Sequence, residues 1–424
     1  MNACARRKRM LTTVFARPDG SVLDYPGLHA AADGGRIEPA RTSDFIPLPE
    51  GSLLLTLPGR SVLGFSDSQT VALADYDGAA VSAVAAALPL GYTRTLLPAY
   101  EVRPDAPPLP LYGYAAVAWV DGALHAAALR TDHLESWSPR AHAATALDRA
   151  IDARKAEFPA SRLLAQLERC AREYGCYTAQ NAFLRQGEAA IPVSPACNAR
   201  CIGCISEQEP DAGIHSAQER VRAMPPVEDI AALAVAHLNA SPGAIVSFGQ
   251  GCEGEPLLAA PHIARAIREI RARTPAGTIH LNSNAGMPHA LELLIDAGLQ
   301  SLRVSLNAVR PHAYSAYYRP RGYGFDDVVA SISLARARGL SVSLNLLTHP
   351  GVTDDPDEMD AFAALLHDQP IDMVQTRTLN VDPAVYFAAV GRPQREPIGM
   401  RRWFAWMRKT FPAIALGNFT RGFG

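Results

Sequence analysis

From residue 189 onward the chain alternates short apolar runs with amphipathic stretches, and this alternation constrains its fold more than any other feature. Ala190-Ile191-Pro192-Val193-Ser194, Ala244-Ile245-Val246-Ser247-Phe248, Thr278-Ile279-His280-Leu281-Asn282 and Leu302-Arg303-Val304-Ser305-Leu306 read as strands, followed by 340–347 and 372–379. Helical spacing fills 227–238, 256–273, 289–297, 326–338 and 357–367, with Gly339 as a stop signal. Strands separated by helices cannot form hairpins; they pair in parallel through right-handed crossovers. Six such units can make a partial barrel, open on one side, whose functional face is the C-terminal ends of the strands.

The flanking regions differ in character. Residues 1–140 are rich in strand and turn signals, among them Arg17-Pro18-Asp19-Gly20 and a hairpin over 111–125 with Asp121-Gly122 at its tip. No chemical motif stands out there, so an accessory domain and a substrate-docking or lid module both remain open. Residues 141–186 read as a helical connector, with Leu163, Leu164, Leu167 and Ala171 at helical spacing. Cys170 and Cys176 close it, either as small buried hydrophobes or as part of a second metal site. The barrel spans 187–382, and 383–424 is a C-terminal extension. Its aromatic helix, with Trp403, Phe404, Trp406 and Met407, is expected against the barrel's open side. The expected class is therefore α/β: a partial (β/α)6 TIM-type barrel with an N-terminal β-rich accessory domain and a short C-terminal extension.

A length of 424 residues suits two or three domains, and 48% hydrophobic with 19% charged residues is a globular balance. A formal net charge of −2 gives no general attraction to nucleic acid or membrane. The basic run Arg6-Arg7-Lys8-Arg9 reads as a solvated tail, and the apolar run after it is too short for a signal-peptide core. No run has the length of a membrane span. Seven cysteines, three of them in one loop, argue for a reducing compartment and a cytoplasmic protein.

That loop is Cys197-Asn198-Ala199-Arg200-Cys201-Ile202-Gly203-Cys204, directly after the first strand. Thiolates are soft ligands for iron–sulfur clusters and zinc. Three of them can hold three irons of a cubane and leave the fourth open to another ligand. The other readings are a zinc knuckle completed by Cys252 or a histidine, and a set of free thiols.

The cysteine spacing, with the polar residues at successive strand ends, resembles the radical S-adenosylmethionine (SAM) superfamily over about 187–382; no subfamily is recognised. The resemblance implies a [4Fe–4S] cluster on Cys197, Cys201 and Cys204, whose open iron chelates the amino and carboxylate groups of SAM. It implies an external electron donor of flavodoxin or ferredoxin type, cleavage of SAM to methionine and a 5′-deoxyadenosyl radical, and hydrogen abstraction from an unidentified substrate. Gly254 and Glu255 are similar to the family's contact for the SAM ammonium, although Glu253 stands where a second glycine is usual. Asn284, Ser305, Asn307 and Asn345 match further SAM contacts, Arg319 a partner for the carboxylate, and 350–354 the adenine side. Each also has a local reading: an acidic helix start, an Asn/Gly turn, a solvated arginine. Cys252 is expected at the barrel mouth, as a hydrogen-atom donor, a methyl acceptor or a packed thiol. Gln375, Arg377 and Asn380 are polar groups in or beside a strand expected to be buried, and need partners in a substrate or a loop. The rival to the whole reading is a zinc-binding barrel protein with a structural metal site and no radical chemistry.

Overall fold

The computed structural model describes residues 11–422; the basic run at Arg6 to Arg9 lies outside them. Two compact units divide the chain. Among the described residues, one holds 11–131 together with Thr348–Met359 and Thr378–Thr410; the other holds Asp132–Leu347, Asp360–Arg377 and 411–422.

The first unit is built on an antiparallel sheet of twelve strands among the described residues. Its central strand, Leu11–Ala16, is buried along its whole length. It pairs with Val22–Asp33, Ser82–Ala87 and Ala115–Val120. Alanines 83, 85, 115, 116 and 118 are at most 1% exposed, and such small side chains let the strands pack closely. The strand Ala115–Val120 turns into Ala123–Ala126 through Asp121 and Gly122, both at positive φ as a two-residue hairpin requires. A buried ion pair ties this unit together: Arg60 Nη2 lies 2.8 Å from Asp382 Oδ2, with both side chains at most 3% exposed. The aromatic helix Met400–Thr410 belongs to this unit, where Arg401 donates to the carbonyls of Asp44 and Ala128.

The second unit opens with three helices, α1 (Ala144–Glu157), α2 (Arg162–Arg172) and α3 (Tyr177–Leu184). Ser161 caps α2 by accepting from the Leu164 N–H, and the helix buries Leu163, Leu164, Leu167, Cys170 and Ala171. A seven-stranded sheet follows in sequence order: β1 (Glu188–Ala190), β2 (Ile245–Phe248), β3 (Thr278–Ser283), β4 (Ser301–Leu306), β5 (Ser341–Thr348), β6 (Met373–Thr378) and β7 (Ala415–Gly417). The pairs from β1 to β5, and β6 with β7, run parallel. The connecting helices are α4 (Val227–Leu238), α5 (Ala260–Arg273), α6 (Pro288–Ala297), α7 (Pro311–Tyr318), α8 (Phe325–Ala337) and α9 (Pro356–Asp368). Several details differ from the sequence reading, among them the helix α7, which the spacing does not reveal. The first strand ends at Ala190, and 191–194 continue beyond it as an irregular lead into the cysteine loop. The three-residue strand β7 is too short to show a period of its own.

The two faces of this sheet are chemically opposite. Val246, Phe248, Ile279, Leu281, Leu302, Val304, Leu306, Val342 and Leu344 are fully buried on one face, against helices such as α4 and α8. Residues one step out of phase are polar: Glu188, Ser247, His280, Asn282, Arg303, Ser305, Ser343, Asn345, Gln375 and Arg377. Parallel strands covered on both faces are apolar throughout, so a polar second face marks a surface that meets something other than helices. Among the described residues, no helix is long and apolar enough to cross a membrane.

Candidate active site

The cysteine loop is held by groups that need partners of their own. The last carbonyls of an α-helix have no intrahelical donor. At the end of α7 these are Tyr317 and Tyr318, and they accept the N–H groups of Ile202 and Arg200 at 3.0 Å each. The Asn198 carbonyl accepts from the Arg321 N–H at 2.8 Å, and the Asn198 side chain accepts from Asn284 Nδ2 at 2.7 Å. Gln208 Nε2 donates to the carbonyls of Ile202 and Cys204. Both sides of the loop are thereby fixed, and Cys197, Cys201 and Cys204 are left half-buried as free thiols.

Burial pushes the Cys197 and Cys201 thiols up; Cys204 and Glu255 raise both further, and Cys197 also raises Cys201. A positive centre is needed to hold such a set as thiolates. One cation is already present. Arg220 Nη2 lies 3.5 Å from Cys204 Sγ, while its Nε bonds Ser206 Oγ at 3.2 Å and its Nη1 bonds Glu207. Arg220 lies in the long link between the loop and α4, and only folding brings it back to Cys204. A second neighbour is aromatic. Tyr314 stacks on Tyr318 with centroids 4.7 Å apart, Tyr314 contacts the Tyr323 hydroxyl, and Tyr323 lies against Gly286. Burial raises all three tyrosines, and Cys201 is close enough to raise each further.

Glu253, at the position where the resemblance leads one to expect glycine, is a clamp. Its Oε2 accepts the N–H groups of Val193 and Ser194, and its Oε1 those of Gly249 and Gln250, all at 2.7–2.8 Å. It welds the exit of β1 to the turn after β2. Burial pushes it up to about 7 while those four bonds pull the other way. Gly254 is required by contact. A Cβ there would stand 1.9 Å from the Ala196 carbonyl oxygen, and its N–H donates to Ser194 at 2.7 Å. Glu255 is buried and engages Ser283 Oγ at 2.6 Å and the N–H groups of Asn284 and Leu257. Burial lifts it to about 6. Glu255 thus braces the turn after β3, and Asn284 passes that brace to the cysteine loop.

Ser305 and Asn345 face each other across β4 and β5. Asn345 Oδ1 is buried and has no hydrogen-bond partner among the described residues. Asn307 is 1% exposed and donates to the Ala313 carbonyl. Arg319 is exposed at the left-handed C-cap of α7. Cys252 is placed differently from the expectation. It is 3% exposed and hydrogen bonds to Cys170 at the end of α2, with Cys176 nearby, and not to the cysteine loop. That contact lowers Cys170 and raises Cys252. The turn after β2 explains it: the Glu253 clamp directs the carboxylate toward β1, and the preceding side chain falls on the α2 side. Among the described residues, no three His, Cys, Asp or Glu side chains are placed to hold one metal ion. In a cubane each thiolate goes to its own iron, so its three ligands need not converge on one point.

Residues 191–363 match the family model described as the Radical SAM superfamily. The match covers the segment that holds the cysteine loop. The cofactors of that family are a [4Fe–4S] cluster and SAM, and the donor set fits them: three soft thiols on a braced loop, and within β5 a buried Asn345 oxygen without a hydrogen-bond partner among the described residues. No curated protein matches the chain. Among solved structures it is similar to methylornithine synthase (PylB), at 17% identity over 63% of this chain and 78% of that one, with a TM-score of 0.39. It is similar to Streptococcus suis SuiB bound to S-adenosylmethionine, at 14% identity over 55% and 49% of the two chains and a TM-score of 0.39. It is also similar to HydG, a maturase of the [FeFe]-hydrogenase, at 16% identity over 56% and 55% and a TM-score of 0.35. The chain thus spans about half the length of the last two. The matched segment takes in the cysteine loop, the Glu253 clamp, the Glu255 brace and the tyrosine cluster.

Proposed function

We propose that this chain is a single-cluster radical SAM enzyme in which Cys197, Cys201 and Cys204 hold the [4Fe–4S] cluster. The observation that carries this reading is the loop itself: three half-buried thiols, braced from α7 and from Asn284, with a guanidinium at Cys204. When bound, the cluster and SAM supply reductive cleavage of SAM to methionine and a 5′-deoxyadenosyl radical. The residues of the chain position, tune and shield. Asn345 offers its unpartnered oxygen to a hydroxyl or ammonium of SAM, with Ser305 beside it. Gly254 lets the backbone approach closely, and Glu255 and Asn284 set the turn that SAM meets. Tyr314, Tyr318 and Tyr323 exclude water near Cys201. Arg220 offsets the negative charge that gathers on the thiolates.

The sheet with its helices is read as a partial (β/α)6 barrel, and the antiparallel unit as an accessory domain. The electron comes from an external flavodoxin or ferredoxin, and the protein is cytoplasmic. The deciding experiment is anaerobic reconstitution with iron and sulfide, then incubation with SAM and dithionite. A brown protein that bleaches on reduction and releases 5′-deoxyadenosine supports the reading. A colourless protein with one stoichiometric zinc and no nucleoside release overturns it.

A further inference from the structure

The first unit holds a cavity that the radical SAM chemistry leaves unused. It measures about 350 Å³ and is lined from three segments, within 32–44, 95–96 and 396–402. All three belong to the first unit, and none lies within the matched segment 191–363. Ligand pockets run from roughly 300 to 1,000 Å³, so this one has room for a small organic molecule. Its charged lining is Arg36, Arg41, Arg401 and Arg402 against Glu38, Asp44 and Glu396. Arg401 is half-buried and donates through Nη2 to the carbonyls of Asp44 and Ala128, and the Asp44 carboxylate is near enough to favour its charge. Arg36, Arg41 and Arg402 are exposed and add positive potential that draws anions toward the cavity.

Two features single out the positive side of this lining. The aromatic helix Met400–Thr410 starts at the cavity with no acidic residue in its first turn, and its second and third residues are Arg401 and Arg402. The first N–H groups of a helix have no partner within it and form the positive end of its dipole. Acidic residues are favoured there and cations disfavoured. Two arginines at that end set positive charge upon positive charge, an arrangement that a bound anion relieves. The second feature is Thr95. It lines the cavity, is 3% exposed, and its Oγ1 is buried without a hydrogen-bond partner among the described residues. Arg401 Nε is in the same condition. Nearly all buried polar groups in native proteins find a partner. A hydroxyl, a guanidinium and the N–H groups of a helix start are all donors, and the acceptor that suits all three is an oxyanion. Leu96, Pro397, Ile398 and Met400 supply an apolar lining beside them.

We propose that this cavity binds a small organic phosphate. The phosphate sits at the start of the helix Met400–Thr410, held by Arg401, Arg402 and the Thr95 hydroxyl, and the carbon skeleton lies against Leu96 and Ile398. Donors from two arginines, a hydroxyl and a helix end outnumber the two oxygens of a carboxylate, which favours phosphate. The site does not depend on the radical SAM reading and stands whether or not a cluster forms.

The test uses the full-length protein in a phosphate-free buffer, with phenyl phosphate, inorganic phosphate and the neutral phenylacetamide as probes. Binding is followed by calorimetric titration and by thermal melting. Phenyl phosphate should bind more tightly than inorganic phosphate and raise the melting temperature, while phenylacetamide does neither. Arg402→Glu removes an exposed cation and places an acid at the helix start. The free variant should therefore melt no lower than wild type, yet bind phenyl phosphate more weakly by about tenfold or more. Thr95→Val keeps the shape of the side chain and removes a hydroxyl whose oxygen is unpartnered. It should fold with undiminished stability and lose about tenfold in binding, as for a hydrogen bond to a charged group. No response to either phosphate, an equal response to phenylacetamide, or unchanged phosphate binding in either folded variant would overturn the site. Equal affinity for the two phosphates would overturn the organic ligand.

Discussion

Arg220 Nη2 stands 3.5 Å from Cys204 Sγ, although sixteen residues separate them in sequence. Hydrogen bonds and positive charge at a cluster's sulfur ligands favour the reduced, more negative state. Arg220→Gln is expected to retain its iron but to show a midpoint potential lower by on the order of tens of millivolts. Spectroelectrochemical titration of the reconstituted protein measures this. An unchanged potential would show that the guanidinium has no influence on the cluster.

Serine at Cys197, Cys201 or Cys204 should each abolish iron retention while leaving the far-UV circular dichroism unchanged. Cys252→Ser is the control, because Cys252 lies against Cys170 and away from the loop. It should keep its full complement of iron and sulfide. Iron and sulfide assays on the four variants decide the assignment, and iron loss in the Cys252 variant would contradict it.

Gly254→Ala places a methyl group where the Ala196 carbonyl already stands, 1.9 Å away. Backbone on both sides leaves little room for adjustment, so the loop must shift. The expected outcome is a destabilisation of about 1–3 kcal/mol and a sharply reduced iron content. Denaturant titration with iron analysis would reveal it; wild-type values for both would refute the close approach.

Asp382 is the anchor of the first unit. It pairs with Arg60, accepts from the Leu109 N–H, and caps the helix Pro383–Val390 through Ala384. Asp382→Ala strands a buried guanidinium and should cost about 3–5 kcal/mol. The double replacement Arg60→Met with Asp382→Leu removes both charges and should cost less. If the double variant were the less stable one, the desolvation argument would be wrong.

His237 is 1% exposed and bonds the Gly187 carbonyl at 3.1 Å. Burial lowers it to about 4, against about 6.5 when unfolded. As the pH falls, the unfolded chain takes up this proton first. The contribution of His237 to stability is therefore complete above pH 6.5 and is lost as the pH falls toward 4. The size of the loss is on the order of 3 kcal/mol. His237→Gln does not titrate, so its stability relative to wild type should improve across that window. Chemical denaturation at several pH values between 4 and 7 would test this, and parallel curves would refute it.

Much of the parallel sheet was legible in the chain because its apolar positions are local. Leu302, Val304 and Leu306 alternate with polar residues, and Gly339, read as a stop signal, stands at positive φ just past its helix. The cysteine loop was legible for the same reason, since three ligands within eight residues need no tertiary information to be recognised. The strand β7 was not, because three residues carry no period and its pairing with β6 is set by the fold.

What the sequence by itself determined, then, is a parallel sheet with a three-thiol loop at the end of its first strand. Local periodicity and local spacing are enough to encode both. What only the tertiary structure decided is the company each group keeps. Glu253 became a clamp on four N–H groups, Cys252 turned to Cys170, Arg220 came back to Cys204, and Arg303 met Gln375 across the sheet. The physical reason is that charge–charge contacts, hydrogen bonds and burial act through space, between residues whose separation along the chain carries no trace of the distance between them.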